Sequence, residues 1–316
     1  MKSLDQSLLL KYAHFKAHQQ HTERIYDFLK CKQSKCLLSL MNQQDTIAVL
    51  PTGYGKSLIF EFAPFLLNSR AQHLKKSDEY LVIIIDPLNS IIDEQLCRYK
   101  DSVHITQNFF DDTGNTDKLI AGEYTYLIAH PEHLLKKAAF NILRRKDLKK
   151  KIGALFVDEA HCVVQWGQSF RPAYNDIVKL RAIIPHVPCV ALTATATIKM
   201  QAEIKQKLLL VNPTIVASSP NRPNIKLIIK RRPAITGGDN SPEESLHQVL
   251  NPYIELLRQD PTMFLKTVVY TKLAWCGLGN EAATRPPRNS YRNDLSDLSC
   301  HVSQYHAPCT TEVSKN

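Results

Sequence analysis

Five short apolar runs recur before residue 194: Thr46 to Leu50, Tyr80 to Asp86, Tyr124 to Ala129, Gly153 to Asp158 and Cys189 to Thr193. They are rich in Val, Ile, Leu and Ala with few polar interruptions, the pattern of strands covered on both faces. The stretches between them are long enough for helices, so successive runs read as strand, crossover helix and parallel strand. That recurrence predicts an α/β fold, a parallel sheet with helices on both faces. Such sheets hold ligands in the crevice beyond the carboxyl ends of their strands. Function is therefore to be sought in the residues that follow each run.

Two of the runs end in groups with recognisable chemistry. The first leads into Leu50-Pro51-Thr52-Gly53-Tyr54-Gly55-Lys56-Ser57 and then into a segment, Ser57 to Leu67, that predicts a helix. Gly53 and Gly55 permit backbone conformations that turn successive N–H groups toward an anion, and the helix adds its positive end. Thr52, Gly53, Tyr54 and Gly55 thus make a candidate phosphate cradle, Lys56 a point charge for β and γ phosphates, and Ser57 a hydroxyl for Mg²⁺. The strict G-x-x-x-x-G-K-[ST] pattern is not met, because Leu50 stands at its first glycine. The fourth run leads into Val157-Asp158-Glu159-Ala160-His161-Cys162. One of these acids can hold Mg²⁺ through its water shell while the next orients an attacking water. Alone, an Asp-Glu pair reads as a solvated acidic turn; the phosphate loop upstream gives it weight.

Together and in this order, the two motifs resemble the first motor domain of superfamily-two helicases. The stretch from Asp158 to Tyr174 narrows the likeness to RecQ-type DNA helicases, being similar to their DEAH box and the aromatic-rich loop that follows it. The likeness extends to Asp86-Pro87-Leu88-Asn89-Ser90, Thr193-Ala194-Thr195-Ala196-Thr197 and Asn221-Arg222-Pro223-Asn224, and covers most of the chain to residue 227. It implies a RecA-like P-loop domain, ATP and Mg²⁺ as cofactors, and DNA, single-stranded or as a tailed duplex, as partner. Carried over by position, Tyr26 stacks on adenine, Lys30 stands where the family has an arginine, and Gln33 hydrogen-bonds the adenine edge. Lys56, Asp158 and Glu159 take the catalytic positions, and Ser57 and Asp158 those of the metal. Pro87, Asn89, Ser90, His161, Gln165, Trp166, Phe170, Arg171, Thr193 and Thr195 fall at positions of DNA contact or of coupling between DNA and the nucleotide. Val164 and Gln168 depart from the family's usual serine and histidine.

Several of these stretches also carry a plainer reading. Trp166, Phe170 and Tyr174 recur at the four-residue step of a buried helix face, whereas Gly167 and Pro172 mark a loop suited to stacking on unpaired bases. Pro87-Leu88-Asn89-Ser90 fits a strand-to-helix cap as well as a phosphate contact. His130-Pro131-Glu132-His133-Leu134-Leu135 fits a proline-started helix as well as a strand-contacting motif, and its two histidines do not make a convincing metal site. Thr193 and Thr195 offer hydroxyls to bridge the acid motif to the DNA side, or simply a turn after a strand.

Net charge is +10, and the residues from Lys226 onward hold 11 basic and 9 acidic side chains, so most of the excess lies before them. A polyanionic partner is consistent with that balance. The densest run, Arg144-Arg145-Lys146-Asp147-Leu148-Lys149-Lys150-Lys151, reads as a DNA-backbone patch, a nuclear import signal or the solvated end of a helix. The 8 cysteines show no C-x-x-C pair, which argues for reduced thiols rather than a zinc or redox centre. No run approaches a membrane span and the first residues lack a signal-peptide pattern, so no membrane partner is expected. The resemblance places the protein in the nucleus of a eukaryote, or otherwise in the cytoplasm.

The expected organisation is a polar, His-rich extension over residues 1–21, a helicase ATP-binding domain over 22–225 whose opening helix runs from about Thr22 to Met41, and a partial second RecA-like domain over 226–316. In that last part Ile225 to Ile229 and Lys266-Thr267-Val268-Val269-Tyr270-Thr271 resemble strands of the second motor domain, and Tyr305-His306-Ala307 a later marker with Pro308 in place of glycine. Arg231 to Glu244 reads as a flexible loop, and Thr284 to Leu298 is poor core material. The motifs that carry arginine fingers in related enzymes are not met, and the expectation is a fragment, isoform or decayed copy that hydrolyses ATP slowly. The function implied is an ATP-dependent 3′ to 5′ DNA helicase of repair and recombination. Its competitor is a nucleotide- and DNA-binding module, or a regulator of a full-length helicase.

Overall fold

The computed structural model describes residues 29–74, 79–166, 171–221, 223–229, 231, 242–260 and 265–271. Tyr26 and Phe170 lie outside the described residues, as do the N-terminal extension, Thr284 to Leu298 and Tyr305-His306-Ala307. The chain divides into two compact units, Met1–Arg222 and Pro223–Asn316.

The first unit is built on strands β1 (Thr46–Val49), β2 (Leu81–Ile85), β3 (Ser102–Ile105), β4 (Tyr126–Ala129), β5 (Ile152–Val157), β6 (Cys189–Thr193) and β7 (Thr214–Ala217). They form a 7-stranded sheet in the order β3-β4-β2-β5-β6-β1-β7, and every pairing is parallel. The five expected strands are all present. β3 and β7 were not expected, and both are edge strands with partly exposed residues (Ser102, Val103 and His104 in β3, Thr214, Ile215 and Ala217 in β7). With a neighbour on one side only, an edge strand need not be apolar throughout, so the signal that marked the other five is missing.

Side chains alternate across the sheet and build two cores. Ile47, Ile83, Ile85, Leu127, Leu155 and Val157 face one side, where they pack under helices that include α5 (Pro131–Leu134), α6 (Lys137–Leu143), α7 (Lys146–Lys151), α9 (Ala173–Ile183) and α10 (Ile198–Lys207). Ala48, Val82, Ile84, Tyr126, Ile128, Phe156 and Val190 face the other, against α1 (Cys31–Met41), α2 (Ser57–His73) and α3 (Asn89–Arg98). Among the described residues this unit also holds α4 (Thr113–Ala121), capped by Asp112, the single turn α8 (Cys162–Gln165) and a 3-10 turn over Phe109–Asp111. The sequence ended α2 at Leu67, but it continues through Pro64 to His73. A proline there removes one intrahelical bond, and burial of Phe60, Phe62, Leu66 and Leu67 offsets the loss.

A buried ion pair closes the amino-terminal side of the sheet. Asp45, just before β1, receives Arg181 Nη2 of α9 at 3.1 and 3.0 Å on its two oxygens, the Cys189 N–H at 2.7 Å and the Val211 N–H at 2.8 Å. Four segments distant in sequence are thus held by one carboxylate.

Within the second unit the described residues include α11 (Pro242–Gln259), which buries Leu246, Ile254 and Leu257 and exposes Val249, Tyr253 and Leu256. The sequence had placed a loop over its first residues. Residues 225–229 and 265–271, expected as strands, form none among the described residues; Ile229 is 96% and Tyr270 92% exposed. A strand needs a hydrogen-bonded neighbour, and the described part of this unit supplies none.

Candidate nucleotide and nucleic-acid site

The strand order sets β5, β6 and β1 side by side, so the segments after them emerge together at the carboxyl edge. Those segments are the acid motif, the Thr193-Ala194-Thr195 turn and the phosphate loop. Backbone bonds continue the sheet into them: Leu50 N–H to Thr193 O at 2.9 Å, Ala160 N–H to Leu192 O at 2.8 Å and Asp158 N–H to Ile85 O at 2.9 Å.

In the phosphate loop Gly53 and Gly55 have φ of +79° and +88°, the left-handed region that side chains resist. Gly55 also has no room for a side chain, since a Cβ would lie 2.7 Å from Gln33 Nε2. Lys56 precedes α2 and Ser57 opens it, so the positive end of the helix faces the same space. Lys30 and Gln33, expected at the base of a nucleotide, are here tied to this loop. Gln33, only 2% exposed, donates to Tyr54 O at 3.2 Å and Gly55 O at 2.9 Å and accepts the Lys30 N–H at 2.7 Å. Lys30 Nζ donates to Tyr54 O at 3.1 Å and sits over the Tyr54 ring at 4.9 Å. Both side chains must exchange these bonds before they can read a base.

The acid motif is largely withdrawn from water. Asp158 is 6% exposed; burial, reinforced by Glu159, pushes its carboxyl up to about 6, against the opposing charges of Lys56 and His161. Lys56 also lowers Glu159, so the loop lysine acts on both acids. Asp158 Oδ1 accepts the Glu159 N–H at 2.8 Å. Glu159 adopts a φ of +44°, uncommon outside glycine, which turns its side chain sharply away from the strand direction. His161 Nδ1 lies 3.2 Å from Glu159 Oε2 and 3.0 Å from Thr193 Oγ1, and this imidazole holds the Glu159 carboxyl below its ordinary range. Thr193 Oγ1 in turn meets the Thr195 N–H at 3.1 Å. A continuous polar chain thus runs from Glu159 through His161 and the Thr193 hydroxyl to the backbone of Thr195 in the β6 turn.

A divalent cation fits the chemistry of this set. Asp158 is buried with one oxygen engaged, Glu159 Oε2 is buried with no well-formed hydrogen bond, and Ser57 stands at the start of α2. Lys56 already sets positive charge beside both enclosed carboxylates, and a bound cation would add to it. Among the described residues no group of three or more His, Cys, Asp or Glu side chains is arranged to hold a metal, so such an ion would also need Ser57 and the phosphates as partners.

The positions expected to face DNA are joined to one another by bonds the sequence did not reveal. Pro87 lies two residues beyond β2 and is buried, whereas Asn89 and Ser90 open α3 and are exposed. His130 Nε2 lies 2.6 Å from Asn89 Oδ1 and its Nδ1 2.9 Å from Asp86 O. Arg171 makes a two-point contact with Glu132, at 2.8 and 2.9 Å, and donates to Pro87 O at 2.7 Å. Its guanidinium, expected on a sugar-phosphate chain, is therefore engaged within the protein and fastens the aromatic-loop segment to α5 and β2. Trp166 is half-buried and lies edge-on to the fully buried Tyr174 at 6.0 Å, packed against the core on one side. Gln165 and Thr195 are exposed.

Asp86 was missed as a site residue. It is fully buried beside the acid motif, takes Leu88 N–H at 3.1 Å and Gln95 Nε2 at 3.0 Å, and burial together with Asp158 raises it to about 7. Its position at a strand's carboxyl end was the available signal. His130 and Glu132 gave no signal beyond their segment.

An all-parallel sheet with a phosphate loop after β1 and an acid pair after β5 defines a RecA-like P-loop nucleotide-binding domain. The sequence matches the DEAD/DEAH box helicase family over residues 31–204, and the chain belongs to that family. Within it the resemblance to the RecQ type holds. The chain is 29% identical over 213 residues to "ATP-dependent DNA helicase RecQ" of Haemophilus influenzae, covering 66% of this chain and 32% of that protein. It is 31% identical over 215 residues to the protein of the same name from Synechocystis, covering 65% and 42%. With "ATP-dependent helicase wrn-1" of Caenorhabditis elegans it shares 27% over 239 residues, covering 72% and 20%. The chain thus spans less than half the length of each of these relatives. Among solved structures, the DUF1998 helicase MrfA bound to DNA aligns at 15% identity with a TM-score of 0.48, over 64% of this chain and 29% of that one. No helix of the described residues is long and apolar enough to cross a membrane.

Proposed function

We propose that the chain is the nucleotide-binding part of an ATP-dependent DNA helicase of RecQ type, moving 3′ to 5′ on single-stranded DNA. Residues 22–225 form the ATP-binding domain and 226–316 part of the second motor domain. The observation that carries this reading is the convergence of Lys56, Ser57, Asp158 and Glu159 beyond the ends of β1 and β5, the two strands that flank β6. Lys56 and the N–H groups of the loop and α2 hold the β and γ phosphates; Ser57 and Asp158 would hold Mg²⁺, which would supply positive charge beside the transferred phosphoryl group. Glu159, kept ionised by His161, orients the attacking water and takes its proton. The chain from Glu159 through His161 to Thr193 and Thr195 carries the state of the DNA side to that water. Exposed Gln165, Asn89, Ser90 and Thr195, with Trp166, face the strand.

A second reading, a nucleotide- and DNA-binding module that regulates a longer relative, is favoured by the absence of strand pairing at 225–229 and 265–271 among the described residues. ATP hydrolysis measured with and without a 3′-tailed duplex, beside an unwinding assay, separates the two. The helicase reading expects hydrolysis that rises with DNA and is abolished by Lys56→Ala. The regulator reading expects nucleotide binding sensitive to Lys56→Ala without stimulated turnover. Nucleotide affinity unchanged by Lys56→Ala removes both.

A further inference from the structure

A dense group of cations lies far from the site just described, at the opposite edge of the sheet. α7 leads without a loop into β5, so its lysines stand at the amino-terminal end of the strand whose carboxyl end carries Asp158. The six residues of β5 separate the two by about 20 Å at roughly 3.3 Å per residue.

The segment is not loosely held. Leu148 is fully buried and Leu143 nearly so, anchoring α7 and the preceding turn to the core. Lys151 Nζ donates to Ile120 O at 2.8 Å, fastening α7 to the end of α4. Arg145 and Asp147 pair with each other at 2.9 Å, and that contact holds the Asp147 carboxyl down at about 2. The local acid is thereby spent on one arginine. Arg144, Lys146 and Lys150 are exposed and Lys149 half-exposed, and none makes an ion pair among the described residues. Lys146, Lys149 and Lys150 stand at i, i+3 and i+4, on one side of the helix. Arg144 precedes them, lying over the Phe140 ring at 5.9 Å.

From this arrangement we infer a second nucleic-acid surface, in which Arg144, Lys146, Lys149 and Lys150 hold the phosphate backbone of duplex DNA at the amino-terminal edge of the sheet. Concentrating like charges on a rigid element costs repulsion, which a polyanion relieves. The duplex suits it best because both strands together present a charge every ~1.7 Å along the axis, twice the density of one strand. Contacts to phosphate carry no sequence information, so binding through these cations to the backbone is indifferent to sequence. The surface is separate from the carboxyl-edge site and stands whether or not that site turns over ATP.

The test is the salt dependence of binding to a blunt, fluorescently labelled duplex, measured by anisotropy on the full chain. Neutralising four phosphate contacts should reduce the slope of log affinity against log salt by about 3.6, at roughly 0.9 per phosphate. The expectation is that slope loss in the Arg144→Gln, Lys146→Gln, Lys149→Gln, Lys150→Gln variant, with circular dichroism and nucleotide affinity unchanged. A control lacking Lys35, Lys100 and Lys205, exposed cations elsewhere, should keep most of the slope. The inference is overturned if the patch variant keeps the parent slope, or if the control loses as much per charge removed. It is equally overturned if the patch variant loses binding to phosphatidylserine vesicles while duplex binding stays intact. Should the fourfold variant fail to fold, the Lys146→Gln, Lys150→Gln pair is read instead, with an expected slope change of about 1.8.

Discussion

Replacing Asp45 by Ala should destabilise the first unit more than any surface change, and the size of the effect follows from its four contacts. The carboxylate is 6% exposed and accepts two bonds from Arg181 and one each from the N–H groups of Cys189 and Val211. Truncation leaves the buried Arg181 guanidinium with Val187 O but without its carboxylate, and leaves the enclosed Cys189 N–H without its acceptor. Breaking a buried pair from one side costs about 3 to 5 kcal/mol, a large part of the roughly 5 to 15 kcal/mol that hold a domain together. With a urea slope of about 3 kcal/mol/M, the midpoint should fall by about 1 to 1.7 M. Circular dichroism during urea titration reads this directly. The double change Asp45→Ala, Arg181→Met should recover much of the loss, because the uncompensated charge goes with the arginine. A midpoint unmoved in Asp45→Ala would refute the reasoning, since it would mean that water reaches Arg181 as easily as the carboxylate does.

Two further outcomes are expected. Asp86 has a folded value raised to about 7 from about 4, so it favours the folded state below pH 4 and that contribution is lost as pH rises through 7. Urea midpoints of the nucleotide-free chain should therefore drop between pH 6 and 8. Asp86→Asn should flatten that profile, with the buried, unpartnered Gln95 Oε1 free to accept from the new amide after a flip; an identical pH profile in the variant would sink the assignment. Trp166→Ala should weaken single-stranded DNA binding by about 1 to 3 kcal/mol without changing the salt slope. Unchanged affinity with an intact fold would return Trp166 to the core beside Tyr174.

The interior of the sheet and the two motifs at its edge were legible because each depends on residues close in sequence. Continuous apolar runs mark strands flanked on both sides, and glycines, lysine and serine in a row mark a loop whose backbone does the binding. What escaped depends on distance. Asp45 and Arg181 lie 136 residues apart, and nothing near either one announces the other. Arg171 reads as a free cation on a loop until Glu132 and Pro87 O are seen beside it. Gln33 and Lys30 carried positions inherited from a likeness, and their bonds to Tyr54 and Gly55 appear only once α1 is folded against the loop. β3 and β7 escaped for the opposite reason, being edges whose composition is barely constrained.

The place of β1 in the sheet also dictates a timetable. Its two neighbours are β6 and β7, so nothing made earlier on the ribosome can pair with Thr46–Val49. About 140 more residues must be synthesised before Cys189–Thr193 arrives. At roughly 5 to 20 residues per second, that is about 7 to 28 s during which a bare apolar strand and its phosphate loop wait on a growing chain. Newborn copies are thus exposed to chaperones and to one another for longer than a meander of the same size. Nucleotide cannot rescue them for most of that interval, because the acid pair it must also meet follows β5, which is made only shortly before β6.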